Sequence, residues 1–256
     1  MTLATALMRK KRSQEPAPFP VRRAIRAREL LAGGMKASGM RDLLTDEERA
    51  ELVRIATVVD LRKRHLAVFS QGAQADALFI VGSGATRVCR YLEDGTRQAL
   101  SFLYPGDLLG LAEEGRYVNS AETLTASRLF RISYAALREL VKHDTSMECV
   151  LLVKLAHELR ETQRHVITMG RPHVASRHAL LLGDLCLDTP YYNAKTRQLR
   201  LLISRSDIGD YLGAAPDVIT RAFAALEREG VACRSTSKTI SIPDLTRLLR
   251  YGRARS

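Results

Sequence analysis

Twenty-seven residues near one end of the chain, Ser204 to Gly230 (SRSDIGDYLGAAPDVITRAFAALEREG), restrict the fold more than any other stretch. Ser204 or Ser206 supplies a hydroxyl to cap a helix over Asp207–Leu212, taking one of the first-turn N–H groups that have no helical partner. Gly213-Ala214-Ala215 is a tight turn, and Pro216 presets φ for the first residue of a second helix. That helix carries Val218, Ile219, Ala222, Phe223 and Leu226 on one apolar face and ends at Gly230. Two helices joined by a short glycine turn form the helix-turn-helix layout, with the second helix free to enter a major groove. Val231–Ser235 and Thr239–Ile242 then read as a β-hairpin, a wing with Lys238 at its tip.

Charge points the same way. The chain has 256 residues with 40 Lys+Arg against 28 Asp+Glu, a net charge of +12. Residues 1–30 contribute +6, residues 31–170 balance to zero, and residues 171–256 contribute the other +6. The basic excess sits at the two ends with a balanced middle, and its concentration in the part that holds the helix-turn-helix implies a polyanionic partner for that part. No apolar run approaches the roughly 20 residues of a membrane span. The N-terminal MTLATALMRKKRSQ has too short an apolar stretch, with its charges on the wrong side, for a secretory signal, while its Arg-rich, acid-poor character weakly resembles a mitochondrial presequence. Cys89, Cys149, Cys186 and Cys233 are far apart and form no CxxC pair, which reads as a cytoplasmic protein without a disulfide framework or local zinc motif.

The rest of the chain divides into recognisable blocks. Residues 1–40 read as a basic flexible arm broken by Pro16, Pro18 and Pro20, with a short helix around Val21–Leu31. A core helix begins near Leu44, where Thr45 precedes three acidic first-turn residues. From Leu61 to Ile132 the pattern is short strands: the apolar run Leu78–Val81, then Thr86–Leu92, an Asp94-Gly95 hairpin signal, Gln98–Leu103, and a last strand Thr123–Ile132. Gly82-x-Gly84 has neither the third glycine nor the following helix of a dinucleotide fingerprint, so turn glycines explain it. A long helix runs with a break from Ser133 to Met169. In it Leu152, Leu155, Leu159, Thr162, Val166 and Met169 recur at 3-4-3-4-3 spacing. The stripe serves either a partner helix or the core. The charged residues flanking it (Lys154, Glu158, Arg160, Glu161, Arg164) favour a single partner helix and hence a homodimer. Gly170-Arg171-Pro172 marks the domain boundary, with Pro172 opening the next helix, and Leu199–Ile203 reads as a short strand.

In order along residues 45–250, Phe79-Ile80-Val81-Gly82-Ser83-Gly84, Leu92-Glu93-Asp94-Gly95, Pro105-Gly106-Asp107-Leu108-Leu109-Gly110 and the helix-turn-helix resemble the CRP/FNR superfamily of bacterial transcription regulators. The resemblance implies an α+β fold: an N-terminal cyclic-nucleotide-binding-type β-roll (jelly roll) over 41–145, a dimerisation helix over 146–170, and a C-terminal winged helix-turn-helix over 171–256. It implies double-stranded DNA as partner, with RNA polymerase beyond it, and places Asp217, Thr220 and Arg221 at the family's base-reading positions. Their chemistry agrees: Arg221 can donate twice to guanine, Asp217 can accept from cytosine N4, and Thr220 can offer its methyl to thymine. Ser204, Arg205, Ser206 and Lys238 are the expected backbone contacts. The sequence departs from the family at Asp217, one methylene shorter than the usual glutamate, and at Ala215, which replaces a capping Ser/Thr.

For the sensor part, a cyclic nucleotide requires an arginine on its phosphate beside a helix N-terminus. Here Gly115-Arg116-Tyr117-Val118 has no Ser/Thr after the arginine, and Arg116 is out of register. No cysteine precedes Cys89, which argues against an iron–sulfur cluster. The profile is that of FixK-like regulators, which lack that cluster, with no cofactor expected and no effector identified. His143, His157, His165, His173 and His178 read as helix-surface or interface residues, and Cys186 and Cys233 as structural thiols in the DNA-binding region. No nucleophile–base order or metal set marks an enzyme. The competing reading is a small-ligand-binding regulatory module whose main work is effector sensing.

Overall fold

A computed structural model describes residues 46–143 and 145–254. The basic arm expected over residues 1–40, with its helix at Val21–Leu31, lies outside them, as does Thr45. The described chain opens with helix α1 (Asp46–Ile55) and continues through ten short strands. One antiparallel sheet has the order β1 (Thr57–Leu61), β10 (Ser127–Ser133), β3 (Ala77–Ser83), β6 (Leu108–Leu109). The other has the order β2 (Ala67–Phe69), β9 (Ser120–Thr123), β4 (Thr86–Tyr91), β5 (Arg97–Leu103).

Strand β3 explains why its sequence lacks an alternating pattern. Side chains of a strand face opposite ways in turn. Ala77, Phe79 and Val81 enter the space between the sheets with Leu103, Leu109, Ala121 and Leu129. Leu78 turns to the other side, where Leu52, Leu108, Ile132, Met147, Val150 and Val153 form a second core under the helices. Both faces are covered, so the strand is apolar throughout.

The stretch expected as one strand over Thr123–Ile132 is two. β9 stops at Thr123 and β10 starts at Ser127. Thr125 Oγ1 accepts from the Ala85 N–H at 2.9 Å, and the Ala85 carbonyl accepts from the Leu124 N–H at 2.8 Å. These bonds replace ladder pairing and turn the chain between the sheets.

Helix α2 (Tyr134–His143) and the 25-residue α3 (Thr145–Met169) follow. Then come α4 (Val174–Asp188), β11 (Tyr192–Asn193), β12 (Gln198–Arg200), α5 (Arg205–Leu212), α6 (Pro216–Arg228), β13 (Cys233–Arg234), β14 (Thr239–Ser241) and α7 (Leu245–Ala254). The wing hairpin is thus half of a four-stranded sheet ordered β11-β12-β14-β13. Two expectations are corrected. The strand expected over Leu199–Ile203 ends at Arg200, beyond which Ile203 joins the hydrophobic core. Pro172 does not open α4: His173, extended at φ −95° and ψ 120°, is its N-cap. Proline's fixed φ serves an extended residue as well as a helical one, so the sequence alone does not choose.

Candidate DNA-reading surface

The helix-turn-helix is built by three local devices. The Ser204 hydroxyl accepts from the Asp207 N–H at 3.1 Å, while the Asp207 carboxylate accepts from the Ser204 N–H at 2.7 Å, a reciprocal capping box on α5. Of the two serines considered, Ser204 is the cap. Gly213 ends α5 in the left-handed region at φ 61°, where an L side chain is strained. Gly209 lets the turn fold back, since a Cβ there would stand 2.5 Å from the Ala214 carbonyl oxygen.

Helix α6 then starts at Pro216, with Ala215 as an N-cap that offers no side-chain bond. Ile219, Ala222, Phe223 and Leu226 are buried against a core shared with α4, α5 and α7. That burial fixes which face looks outward. Asp217 and Arg221 lie on it with side chains 71% and 74% exposed, paired at 3.1 Å one helical turn apart. Thr220, also exposed, donates its hydroxyl to the Pro216 carbonyl at 2.9 Å. The three predicted reading residues therefore share one exposed end of one helix. Arg205, Ser206 and Lys238 are exposed, whereas the Ser204 hydroxyl is committed to the cap.

Three features of this region depart from what its sequence implies. Arg234 lies over the Phe223 ring at 5.0 Å and bridges the wing to α6. His178, expected at a surface or interface, is fully buried beside Phe223, with no hydrogen-bond partner for either ring nitrogen among the described residues. Burial, with Arg234 nearby, pushes its pKa down to about 4. The third is a group of β-roll arginines engaged with α5: Arg87, fully buried, bonds both Glu122 and Asp207, and Arg97 bonds Asp210. The sequence carries no sign of the two pairs with α5, because Arg87 and Asp207, like Arg97 and Asp210, are over a hundred residues apart.

On α3, Leu152, Leu155, Leu159, Thr162 and Val166 are exposed, with Met169 half-buried at the end. The core-facing alternative fails, since Met147, Val150 and Val153 are the residues that enter the β-roll core. Lys154, one of the charged residues flanking the stripe, is buried: its ammonium lies 2.7 Å from Glu158 and 3.5 Å from Asp107. Asp107 closes the turn before β6 by accepting from the Tyr104 N–H at 2.8 Å. Burial raises its pKa to about 6, against the attraction of Lys154.

Beyond that turn, where a nucleotide phosphate would need a helix N-terminus, the chain makes a tight hairpin of β7 (Ala112–Glu113) and β8 (Arg116–Tyr117). Arg116 donates to the Gly72 carbonyl at 2.7 Å, and the Tyr117 ring stacks on Phe69 at 4.1 Å. Among the described residues, none between Leu109 and Ser120 is helical. Cys186 is buried and its thiol is pushed up to about 12, which suppresses the reactive thiolate. Among the described residues no metal-holding group of three or more side chains occurs, and no helix is long and apolar enough to cross a membrane.

Comparison with known proteins fits this geometry. Residues 62–144 match the cyclic nucleotide-binding domain family, and residues 176–251 match the Crp-like helix-turn-helix domain family. The nitrogen fixation regulation protein FixK of Azorhizobium caulinodans is 30% identical over 188 residues, 73% of this chain and 76% of that protein. The transcriptional activator protein anr of Pseudomonas aeruginosa is 27% identical over 73% of this chain and 78% of its own length. Among solved structures, FixK2 from Bradyrhizobium japonicum superposes with a TM-score of 0.68 at 27% identity, covering 76% of this chain and 96% of that one. The chain belongs to the CRP/FNR superfamily of DNA-binding transcription regulators, on its FixK-like branch.

Proposed function

We propose that the chain works as a homodimer that reads a pseudopalindromic operator, one half-site per protomer. The observation that carries this reading is the exposed cluster of Asp217, Thr220 and Arg221 at the N-terminal end of α6. Arg221 donates to guanine O6 and N7, Asp217 accepts from cytosine N4, and the Thr220 methyl packs on thymine. A half-site of the TTGA type satisfies this set. Arg205, Ser206 and Lys238 hold the phosphates on either side, and Ser204 contributes by fixing the start of α5.

The α3 stripe of Leu152, Leu155, Leu159, Thr162, Val166 and Met169 joins the protomers. Such a seam, about two and a half heptads, buries leucines worth roughly 1.5–3 kcal/mol each. The chain divides into an arm (1–40), β-roll (41–145), dimer helix (146–170) and winged helix-turn-helix (171–256). The protein acts in the bacterial cytoplasm, with RNA polymerase as its partner on DNA. Relatives named as activators favour activation. It is a regulator and carries no catalytic step.

Arg221→Ala tests the assignment. It should cost about 1–3 kcal/mol of specific binding, read by fluorescence anisotropy on an operator and on a scrambled duplex at one salt concentration. Equal discrimination by the variant and the parent would refute the assignment.

A further inference from the structure

The β-roll touches the DNA-binding domain through more than the connecting helix. The outer face of its second sheet lies against α5. Arg87, on β4, is wholly buried and sits opposite Glu122 of β9 and Phe102 of β5. Its guanidinium bonds Glu122 at 2.5 Å within the roll and Asp207 across the domain boundary. Asp207 divides its two oxygens: Oδ1 faces Arg87, and Oδ2 serves the Ser204 cap with the Arg64 guanidinium 3.8 Å away. Glu122 also accepts from the Tyr91 hydroxyl at 2.5 Å. One turn along α5, Arg97 donates to the Asp210 carboxylate at 3.0 and 2.5 Å, and Gln98 donates to the Asp210 carbonyl at 2.6 Å. Phe102 lies against Tyr211 at 5.0 Å, and Tyr211 stacks on His165 of α3 at 4.1 Å.

We propose that Arg87 and Arg97 are positioning residues for operator reading: they clasp α5 through Asp207 and Asp210 and so set the place of α6 relative to the dimer helix. Three observations support this. Both carboxylates belong to the first helix of the reading motif, and that helix is fixed to α6 by the Gly209–Ala214 turn. The clasp leaves Asp217, Thr220 and Arg221 exposed, so it holds the motif without covering it. And a buried guanidinium loses a charged partner if the domains part, which makes the docked geometry a discrete state. Two recognition helices must match half-sites one helical turn apart, so their spacing depends on how rigidly each motif is held. This proposal rests on the dimeric reading given above.

The test uses the full chain and the duplex it selects from random DNA, alongside the same duplex with its spacer changed by one base pair and a duplex with one half-site. Arg97→Gln and Asp210→Asn should each lower affinity for the correctly spaced duplex about tenfold. They should shrink the spacing preference and leave single-half-site affinity unchanged. Exchanging the pair (Arg97→Asp with Asp210→Arg) should restore both. Unchanged affinity and spacing preference in both single variants would overturn the proposal. So would an equal loss on the single half-site, which would mean damage to the motif itself. Arg87→Gln is the more severe variant, and the partly exposed Arg97–Asp210 pair keeps the test interpretable if it fails to fold. If the parent itself shows no spacing preference, the dimeric reading fails instead. Hydrogen exchange then decides the clasp: faster exchange of α5 amides in Arg97→Gln supports it, and unchanged exchange overturns it.

Discussion

At the scale of single residues, the chemistry of α6 was legible because it is local. Pro216, the apolar face and the positions of Asp217, Thr220 and Arg221 follow from spacing along one helix, and the structure places these three side chains at its exposed end. His178 was not legible, because nothing in its neighbourhood along the chain indicates burial beside Phe223. Its depressed pKa has a consequence with a definite sign. The folded state keeps the imidazole neutral down to about 4, whereas its ordinary value is 6.5. The associated stability is therefore complete above pH 6.5 and is lost as pH falls toward 4, amounting to about 3 kcal/mol by pH 4. Asp107, raised to about 6, and Asp184, raised to about 7 mainly by burial, act in the opposite direction. The readout is therefore the difference between proteins: His178→Leu should flatten the fall of Tm between pH 6.5 and 4.5 in calorimetry. Parallel curves for variant and parent would contradict the burial argument.

At the scale of elements, the strands and helices that rest on strong local signals are present. β3, β4, β5, the Asp94-Gly95 turn, α3, α5 and α6 all occur where turn chemistry and periodicity put them. The misses are at junctions. The split between β9 and β10 depends on Thr125 bonding Ala85, forty residues away, and the start of α4 depends on a proline suited to two conformations. Lys154 shows the same limit on a helix face. Its position flanks the stripe, yet the β-roll turn at Asp107 covers it. The stripe itself is well defined, since Leu152, Leu159 and Val166 are each about 60% exposed or more. Leucines so exposed on one helix mark an association surface. Leu159→Glu should therefore give a monomer by sedimentation with its circular dichroism unchanged. A variant that remains dimeric would show that α3 does not join the protomers.

At the scale of the whole molecule, the division of charge follows the division of labour. The +6 of residues 171–256 belongs to the helix-turn-helix domain, where, on the function proposed above, phosphate contacts would set affinity and salt dependence. Residues 31–170 balance to zero, and their described part holds the β-roll and the helix α3 proposed above to face a second protomer. The +6 of residues 1–30 lies outside the described residues. The way the two domains dock could not be read in advance, because Arg87 and Asp207 meet only once both domains have folded. If two copies of α6 read an inverted repeat, selection of duplexes from random DNA by the whole chain, followed by sequencing, should enrich two inverted half-sites centred about 10 base pairs apart. Enrichment of an unpaired motif, or of no motif, would contradict that reading.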